Sequence, residues 1–281
     1  MPAAIIDGIK TAQQIKDEVK GAVSALAARG VFPKLAVVLA GSDPASLIYI
    51  RNKKKACEYT GIGSEIFELK ASAAESDLLD LIARLNDDKT VSGVLVQSPL
   101  PAHINAQNAF AAVSPEKDVD CFNPVSVGLL SVGTPTFLPC TPAGVIELLK
   151  RYNIEISGKN CVILGRSNIV GKPMFNLLLR ENATVTVCHS KTRDLPGITK
   201  RADILISAAG AEKIITADML KEGAVVIDVG INKNAQGRLC GDVDFDACAR
   251  AASFITPVPG GVGPMTVAML MKNCVKAVDK S

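Results

Sequence analysis

The stretch Cys161-Val162-Ile163-Leu164-Gly165-Arg166-Ser167-Asn168-Ile169-Val170-Gly171-Lys172-Pro173 decides the fold. Four apolar residues make a buried strand, a glycine breaks it, and an apolar helical pattern continues through Leu179. A strand, a glycine turn and a helix start together aim backbone N–H groups at a pyrophosphate, and Pro173 is acceptable in the first helical turn. The spacing departs from G-x-G-x-x-G, because Ser167 takes the second glycine position and Gly171 comes one residue late. After the next strand, Cys188-His189-Ser190-Lys191-Thr192-Arg193 offers no acid where an NAD site binds ribose hydroxyls. Hydroxyls and cations stand there instead, and Arg166 joins them, which favours a dinucleotide carrying a ribose phosphate. His189 reads as a water-satisfied loop residue.

Working outward, strands are expected at Asn160–Leu164, Ala183–Cys188, Asp203–Ser207, Ala224–Val229 and Ser253–Thr256. Three more of their ends carry small residues, at Ser207-Ala-Ala-Gly210, Asp228-Val-Gly-Ile-Asn232 and Thr256 to Pro264, and small residues let a flat ring approach the backbone. Upstream, Ile15, Val19, Ala22, Val23 and Leu26 mark an amphipathic helix. Then come a strand at Leu35–Ala40, a helix at Pro44–Thr60, a strand at Ser64–Leu69, a helix at Glu75–Leu85 and a strand at Val94–Gln97. The alternation is that of an α/β protein with a doubly wound parallel sheet. From Pro115 to Pro142 prolines and glycines interrupt regular structure, so residues 1–121 are expected as an N-terminal α/β catalytic domain and 122–264 as a Rossmann-like domain. A last helix is expected at 265–281.

Composition narrows the function. With 281 residues, 48% hydrophobic and 21% charged, the chain reads as globular, and a net charge of +3 is far from the basic excess of a nucleic-acid binder. Eight cysteines without C-x-x-C spacing and two histidines, His103 and His189, argue against a thiolate zinc site and suit a reducing compartment. With no basic-then-apolar start and no run approaching the ~20 residues of a membrane span, a soluble cytoplasmic protein is expected.

On the helix after Pro44, Ser46, Tyr49, Ile50, Lys53, Ala56, Cys57 and Thr60 share one stripe, with Arg51, Lys54, Lys55 and Glu58 opposite. Lys53 is the cation on the less polar face. Partial desolvation and three like charges nearby would both depress its pKa, and such a lysine exchanges protons near neutrality. Tyr49, one turn earlier, is placed to stack on a ligand or to hydrogen-bond the amine. The bland alternative is a snorkelling lysine beside a core tyrosine. Gln97 ends a strand where α/β sheets bind ligands, or it bonds its own loop. In Lys117-Asp118-Val119-Asp120, the two carboxylates either make Asx turns or accept N–H donors from a heterocycle.

Taken together these segments resemble the bifunctional methylenetetrahydrofolate dehydrogenase/methenyltetrahydrofolate cyclohydrolase family. The matches are Gly41-Ser-Asp-Pro-Ala-Ser through Lys53, Gln97-Ser-Pro-Leu-Pro101, Lys117 to Asp120, Pro139-Cys-Thr-Pro142, Gly165 to Pro173, Asp228 to Asn232, and Pro257 to Thr266. They run in family order, and Pro-Val-Pro-Gly-Gly-Val-Gly-Pro-Met-Thr is highly specific. The resemblance implies a homodimer with a folate cleft between a catalytic domain and an NADP-binding Rossmann domain, and no metal. It implies Lys53 as the catalytic lysine, Tyr49 stacking on the folate, Gln97 positioning and tuning Lys53, and Asp120 holding the pterin. It also implies cofactor contacts at Gly165, Arg166, Ser167, Ser190 and Ile231, with Leu100, Pro259, Gly260, Gly261 and Gly263 lining the substrate site. Two residues depart from the family: Cys121 stands at a usual glycine, costing on the order of 1 kcal/mol if φ is positive there, and Ser98 replaces a usual leucine.

Two rival readings stay open on the residues alone. One is a different NADP-linked oxidoreductase acting on a small hydroxy or keto acid, which wants an arginine clamp, although Arg51 lies on the wrong helical face. The other is a dinucleotide-binding regulator without turnover.

Overall fold

The computed structural model describes residues 2–41 and 43–279. Ser42 of the Gly41–Ser46 motif and the two last residues of the expected terminal helix, Lys280 and Ser281, lie outside them. The chain forms two compact units, one of residues 1–12 and 141–266, the other of 13–140 and 267–281.

The smaller sheet belongs to the second unit. Its strands β2 (Lys34–Ala40), β3 (Gly63–Leu69) and β4 (Gly93–Val96) are all parallel, with β2 in the middle. A central parallel strand is covered on both faces and therefore reads as an unbroken apolar run, as Leu35 to Ala40 does. Helix α1 (Gly8–Ala27) starts in the first unit and buries Ile15, Val19, Val23 and Leu26. Helix α2 (Pro44–Thr60) begins at Asp43, whose Oδ2 accepts the Ser46 N–H at 2.8 Å. It ends at Gly61, where φ is 81° and the N–H reaches the Cys57 carbonyl. Helix α3 (Glu75–Asp87) turns Leu78, Leu81, Ile82 and Leu85 into the same core as Ala36, Val38 and Val94. Short helices α4 (Ala106–Ala112) and α5 (Pro124–Ser131) follow.

The division of the chain falls at 140/141, not at 121/122. Prolines in this stretch start helices instead of separating domains: Pro124 opens α5, capped by Asn123, whose Oδ1 accepts the Val125 N–H at 2.7 Å. Leu130 and Phe137 are fully buried, and the Asn273 side chain donates to the carbonyls of Val119 and Leu138, both at 2.8 Å. That asparagine lies on α10 (Val262–Lys276), whose last two and a half turns complete this unit.

The first unit carries the larger sheet. Helix α6 (Cys140–Arg151) leads into β5 (Asn160–Leu164), α7 (Gly171–Arg180), β6 (Thr184–Cys188), α8 (Leu195–Thr199), β7 (Ile204–Ser207) and β8 (Val225–Asp228). A hairpin of β9 (Asn232–Lys233) and β10 (Leu239–Cys240), helix α9 (Phe245–Cys248) and β11 (Phe254–Ile255) complete it. Among the described residues six strands pair in the order β1-β11-β8-β7-β5-β6, all parallel, where β1 is Ala4–Ile5. β1 is too short to give a periodic signal; its two residues pair with the larger sheet, and residues 1–12 group with that unit. Because β5 has β6 on one side and β7 on the other, the strand order reverses there, and the crevice at that switch point opens at the carboxyl ends of β5 and β7.

Candidate functional site

Helix α2 presents the stripe its sequence foretold. Ser46, Ile50, Lys53, Ala56, Cys57 and Thr60 are buried and Tyr49 half-buried, while Arg51, Lys54, Lys55 and Glu58 are exposed. Lys53 is only 8% exposed, so it does not snorkel. Its Nζ donates to Gln97 Oε1 at 2.9 Å, and Gln97 Nε2 donates to the Ser98 carbonyl at 2.6 Å. The reading of Gln97 as an amide that bonds its own loop holds, and that bond leaves its oxygen facing the amine. The Ser98 carbonyl also receives the Ser46 hydroxyl at 3.4 Å. The loop is used through its backbone, and the Ser98 side chain faces outward.

Burial is the cause of the depressed Lys53 pKa, because removing an ammonium from water disfavours the charged form. Asp120 pulls the other way. Arg51, Lys54 and Lys55 are not among the causes, which corrects the expectation that crowding by cations contributes; their charges stand in water. The neighbouring thiols are neutral at physiological pH, since burial lifts Cys57 to about 12 and Cys140 well above the ordinary thiol range. Asp120 is thus the charge that opposes desolvation at Lys53.

The two carboxylates of Lys117–Asp120 divide their work. Asp118 is buried and accepts the N–H groups of Phe122 at 3.1 Å and Asn123 at 2.8 Å, four and five residues on, so it anchors the following loop without forming the short Asx turn. Asp120 is half-exposed and interacts with Lys53 and with the Cys140 thiol. Cys121 has φ of 62°, so the position does require the left-handed conformation. Leu100 is partly buried and packs on the core behind β2 and β4. Sequence reasoning missed Asn273 and Cys140: Asn273 Nδ2 approaches Cys140 Sγ at 3.6 Å, and the thiol reaches the Val119 carbonyl at 3.4 Å. An asparagine inside an apolar helix was the available signal.

In the larger sheet, Gly165 (φ 124°) ends β5, and a Cβ there would collide with the Ala208 carbonyl at the end of β7. A Cβ on Gly171, the first residue of α7, would collide with the Gly165 carbonyl. Backbone thus packs directly on backbone at the switch point, an approach that only glycine permits at these two positions. Ser167 does more than stand in for a glycine, since its Oγ accepts the N–H groups of Val170 at 3.1 Å and Gly171 at 3.4 Å. Arg166, Ser167 and Ser190 are exposed beside this turn, and the Gly165 N–H joins it to β6 through the Cys188 carbonyl at 2.9 Å. Ile231, beyond β8, is 54% exposed. His189 is held in a local turn, accepting the Lys191 N–H at Nδ1 at 3.2 Å. The loop from Pro259 belongs to this unit: the Gly260 carbonyl accepts the Ile9 N–H at 3.1 Å, Gly261 is packed against Thr256 and Pro257, and Gly263 lies in the first turn of α10. The structure therefore gathers Lys53, Gln97, Asp120 and, one turn away, Tyr49 in one unit. The nine glycine, serine, arginine, isoleucine and proline candidates sit in the other.

A glycine-lined switch point in a parallel sheet, on one chain with a buried lysine held by an amide, is the make-up of a two-unit α/β enzyme. Residues 6–120 match the model of the tetrahydrofolate dehydrogenase/cyclohydrolase catalytic domain, and residues 139–281 that of the same family's NAD(P)-binding domain. The chain belongs to the tetrahydrofolate dehydrogenase/cyclohydrolase family and is an enzyme. It is 59% identical over 278 residues to the bifunctional protein FolD of Agathobacter rectalis, covering 99% of this chain and 100% of that one. It is 57% identical to the FolD of Lachnoclostridium phytofermentans, covering 99% of each. The bifunctional FolD structure from Campylobacter jejuni superposes with a TM-score of 0.97 at 48% identity, covering 98% of both chains. The Trypanosoma brucei enzyme, solved with NADP and an inhibitor, superposes with 0.94 at 41% identity, covering 99% of this chain and 98% of that one. Among the described residues no helix is long and apolar enough to cross a membrane.

Proposed function

We propose that this chain oxidises methylene-tetrahydrofolate with NADP and hydrolyses the methenyl product to formyl-tetrahydrofolate, with Lys53 as the group that handles the proton. The observation that carries this reading is the buried Lys53–Gln97 pair at 2.9 Å. Gly165 and Gly171 let the turn pack closely on its neighbours, and Arg166, Ser167, Ser190 and Ile231 would supply contacts to NADP, which when bound accepts the hydride. The remaining chemistry belongs to side chains of this chain. A methenyl-tetrahydrofolate is a cation, and two unit charges 4 Å apart at an effective dielectric constant of 20 repel by about 4 kcal/mol. An amine whose charged form burial disfavours lessens that repulsion. It then takes one proton of the water that attacks the methenyl carbon and returns it to the ring nitrogen as the carbon–nitrogen bond opens, while the new hydroxyl gives up its own proton to solvent and becomes the formyl carbonyl. Gln97 fixes the direction of Nζ, Asp120 holds the pterin N–H groups and keeps Lys53 able to reprotonate, and Tyr49 stacks on the folate ring. Leu100 bounds the substrate within the unit that carries Lys53.

A spectrophotometric assay with methylene-tetrahydrofolate and NADP⁺ tests the reading against both rivals. Turnover supports it, NADP binding without turnover points to a regulator, and turnover only with a hydroxy or keto acid points to another dehydrogenase. Replacing Ser190 with aspartate is expected to move preference toward NAD; an unchanged NADP/NAD ratio counts against that loop as the reader of the ribose phosphate. The same reading gives a cytoplasmic homodimer, supported by the family resemblance and by eight free thiols that suit a reducing compartment. Sedimentation equilibrium tests the dimer.

A further inference from the structure

The larger unit holds a carboxylate that neither the motifs nor the proposed reaction uses. Asp242, two residues after β10, is fully buried. Its Oδ2 accepts the Ser207 hydroxyl at 2.9 Å and the N–H groups of Ala209 at 2.7 Å and Gly210 at 3.3 Å. Its Oδ1 accepts the Ala211 N–H at 3.0 Å and the Asn232 side-chain amide at 2.9 Å. Five donors converge on one carboxylate, drawn from the end of β7 and the loop after it and from the start of β9. A Cβ on Gly230 would strike the Asp242 carboxylate, and one on Gly241 would strike that of Asp228. Asp228 in turn accepts the backbone N–H groups of Gly230 at 2.9 Å, Asp242 at 3.0 Å and Val243 at 2.9 Å. The two acids and two glycines thus lock the segment after β10 under the loops after β7 and β8. The loop after β7 flanks the switch point directly, because its Ala208 carbonyl is the atom that excludes a side chain at Gly165.

From this we infer that Asp242 is a positioning residue for the dinucleotide: its carboxylate ties down the loops at 207–211 and 230–232 so that the cofactor crevice is formed before NADP arrives. The inference rests on the larger unit being the NADP site. An asparagine at this position keeps the volume but turns one acceptor into a donor facing N–H groups, so the loops lose their common anchor. Binding must then re-order them, and the loss falls on cofactor affinity. Hydrolysis of methenyl-tetrahydrofolate is not a redox step and draws on Lys53 in the other unit, so it is spared.

The test is steady-state kinetics of Asp242→Asn, with hydrolysis of methenyl-tetrahydrofolate measured in the absence of NADP. The expected result is a KM for NADP raised at least tenfold, with hydrolysis within twofold of the parent. Ser207→Ala and Asn232→Ala each remove one donor, and are expected to raise the NADP KM about threefold; they decide the matter if Asp242→Asn does not fold. An unchanged NADP KM in folded variants overturns the inference. So does a parallel fall of both activities with the NADP KM unaltered, the pattern of a merely structural residue. A parent enzyme that is not saturated by NADP at all would overturn the cofactor reading itself, and this inference with it.

Discussion

Lys53 works because of where α2 places it. Desolvation makes the folded protein hold that proton less tightly than the unfolded chain, where the amine returns to its ordinary 10.5. The unfolded state then binds more protons in the window from the depressed value up to 10.5, so stability rises with pH across it and falls as pH drops through the folded value. Lys53→Met removes the ammonium and leaves a similar apolar stem. Hydrolysis is expected to vanish, Tm to hold or rise near neutrality, and the alkaline gain in denaturant midpoint to disappear; retained hydrolysis contradicts the role. Gln97→Glu sets a carboxylate against Nζ, raises the lysine pKa and therefore moves the acid limb of the hydrolysis pH profile upward. A profile that stays in place shows that Gln97 does not tune the amine. Which helical face buried Lys53 was legible from three- and four-residue spacing. The pull of Asp120 was not, because that contact closes between residues 67 positions apart.

At the scale of elements, the strands and long helices were readable because their burial is periodic or continuous. The segments that escaped are short or lie among prolines: β1, the β9–β10 hairpin and α5 carry too few residues for a period to show. Cys121 shows how a local rule is broken. Its left-handed φ costs about 1–2 kcal/mol, while its buried thiol, near the Phe137 carbonyl at 3.5 Å, regains packing of about 1 kcal/mol. Cys121→Gly is therefore expected to be close to neutral in urea unfolding. Cys121→Ala keeps the strained φ and loses the thiol, and is expected to lower stability by about 1 kcal/mol; equal midpoints for both variants contradict this balance. Gly165→Ala drives a methyl into the Ala208 carbonyl at a φ of 124° and is expected to raise the NADP KM more than tenfold. An unaltered KM would mean that the β5–β7 crevice is not the cofactor seat.

On the whole molecule, the chain crosses between its units within α1, at the start of α6 and within α10, so neither unit is a continuous stretch of sequence. This is why composition placed the boundary at 121: it reads the chain in order, whereas cores are assembled from segments that return. The separation of tasks predicts that NADP at a hundredfold over its Kd stabilises Lys53→Met as it does the parent, by about 2.7 kcal/mol in thermal unfolding. Loss of that gain in the variant would couple the lysine to the cofactor seat. The most direct test of the account follows the Lys53 side chain by carbon NMR in protein labelled at lysine, with Lys53→Met supplying the assignment. The account predicts a titration midpoint well below 10.5. A midpoint at or above the value of a free lysine would leave the ammonium charged as the methenyl cation forms, and would contradict it.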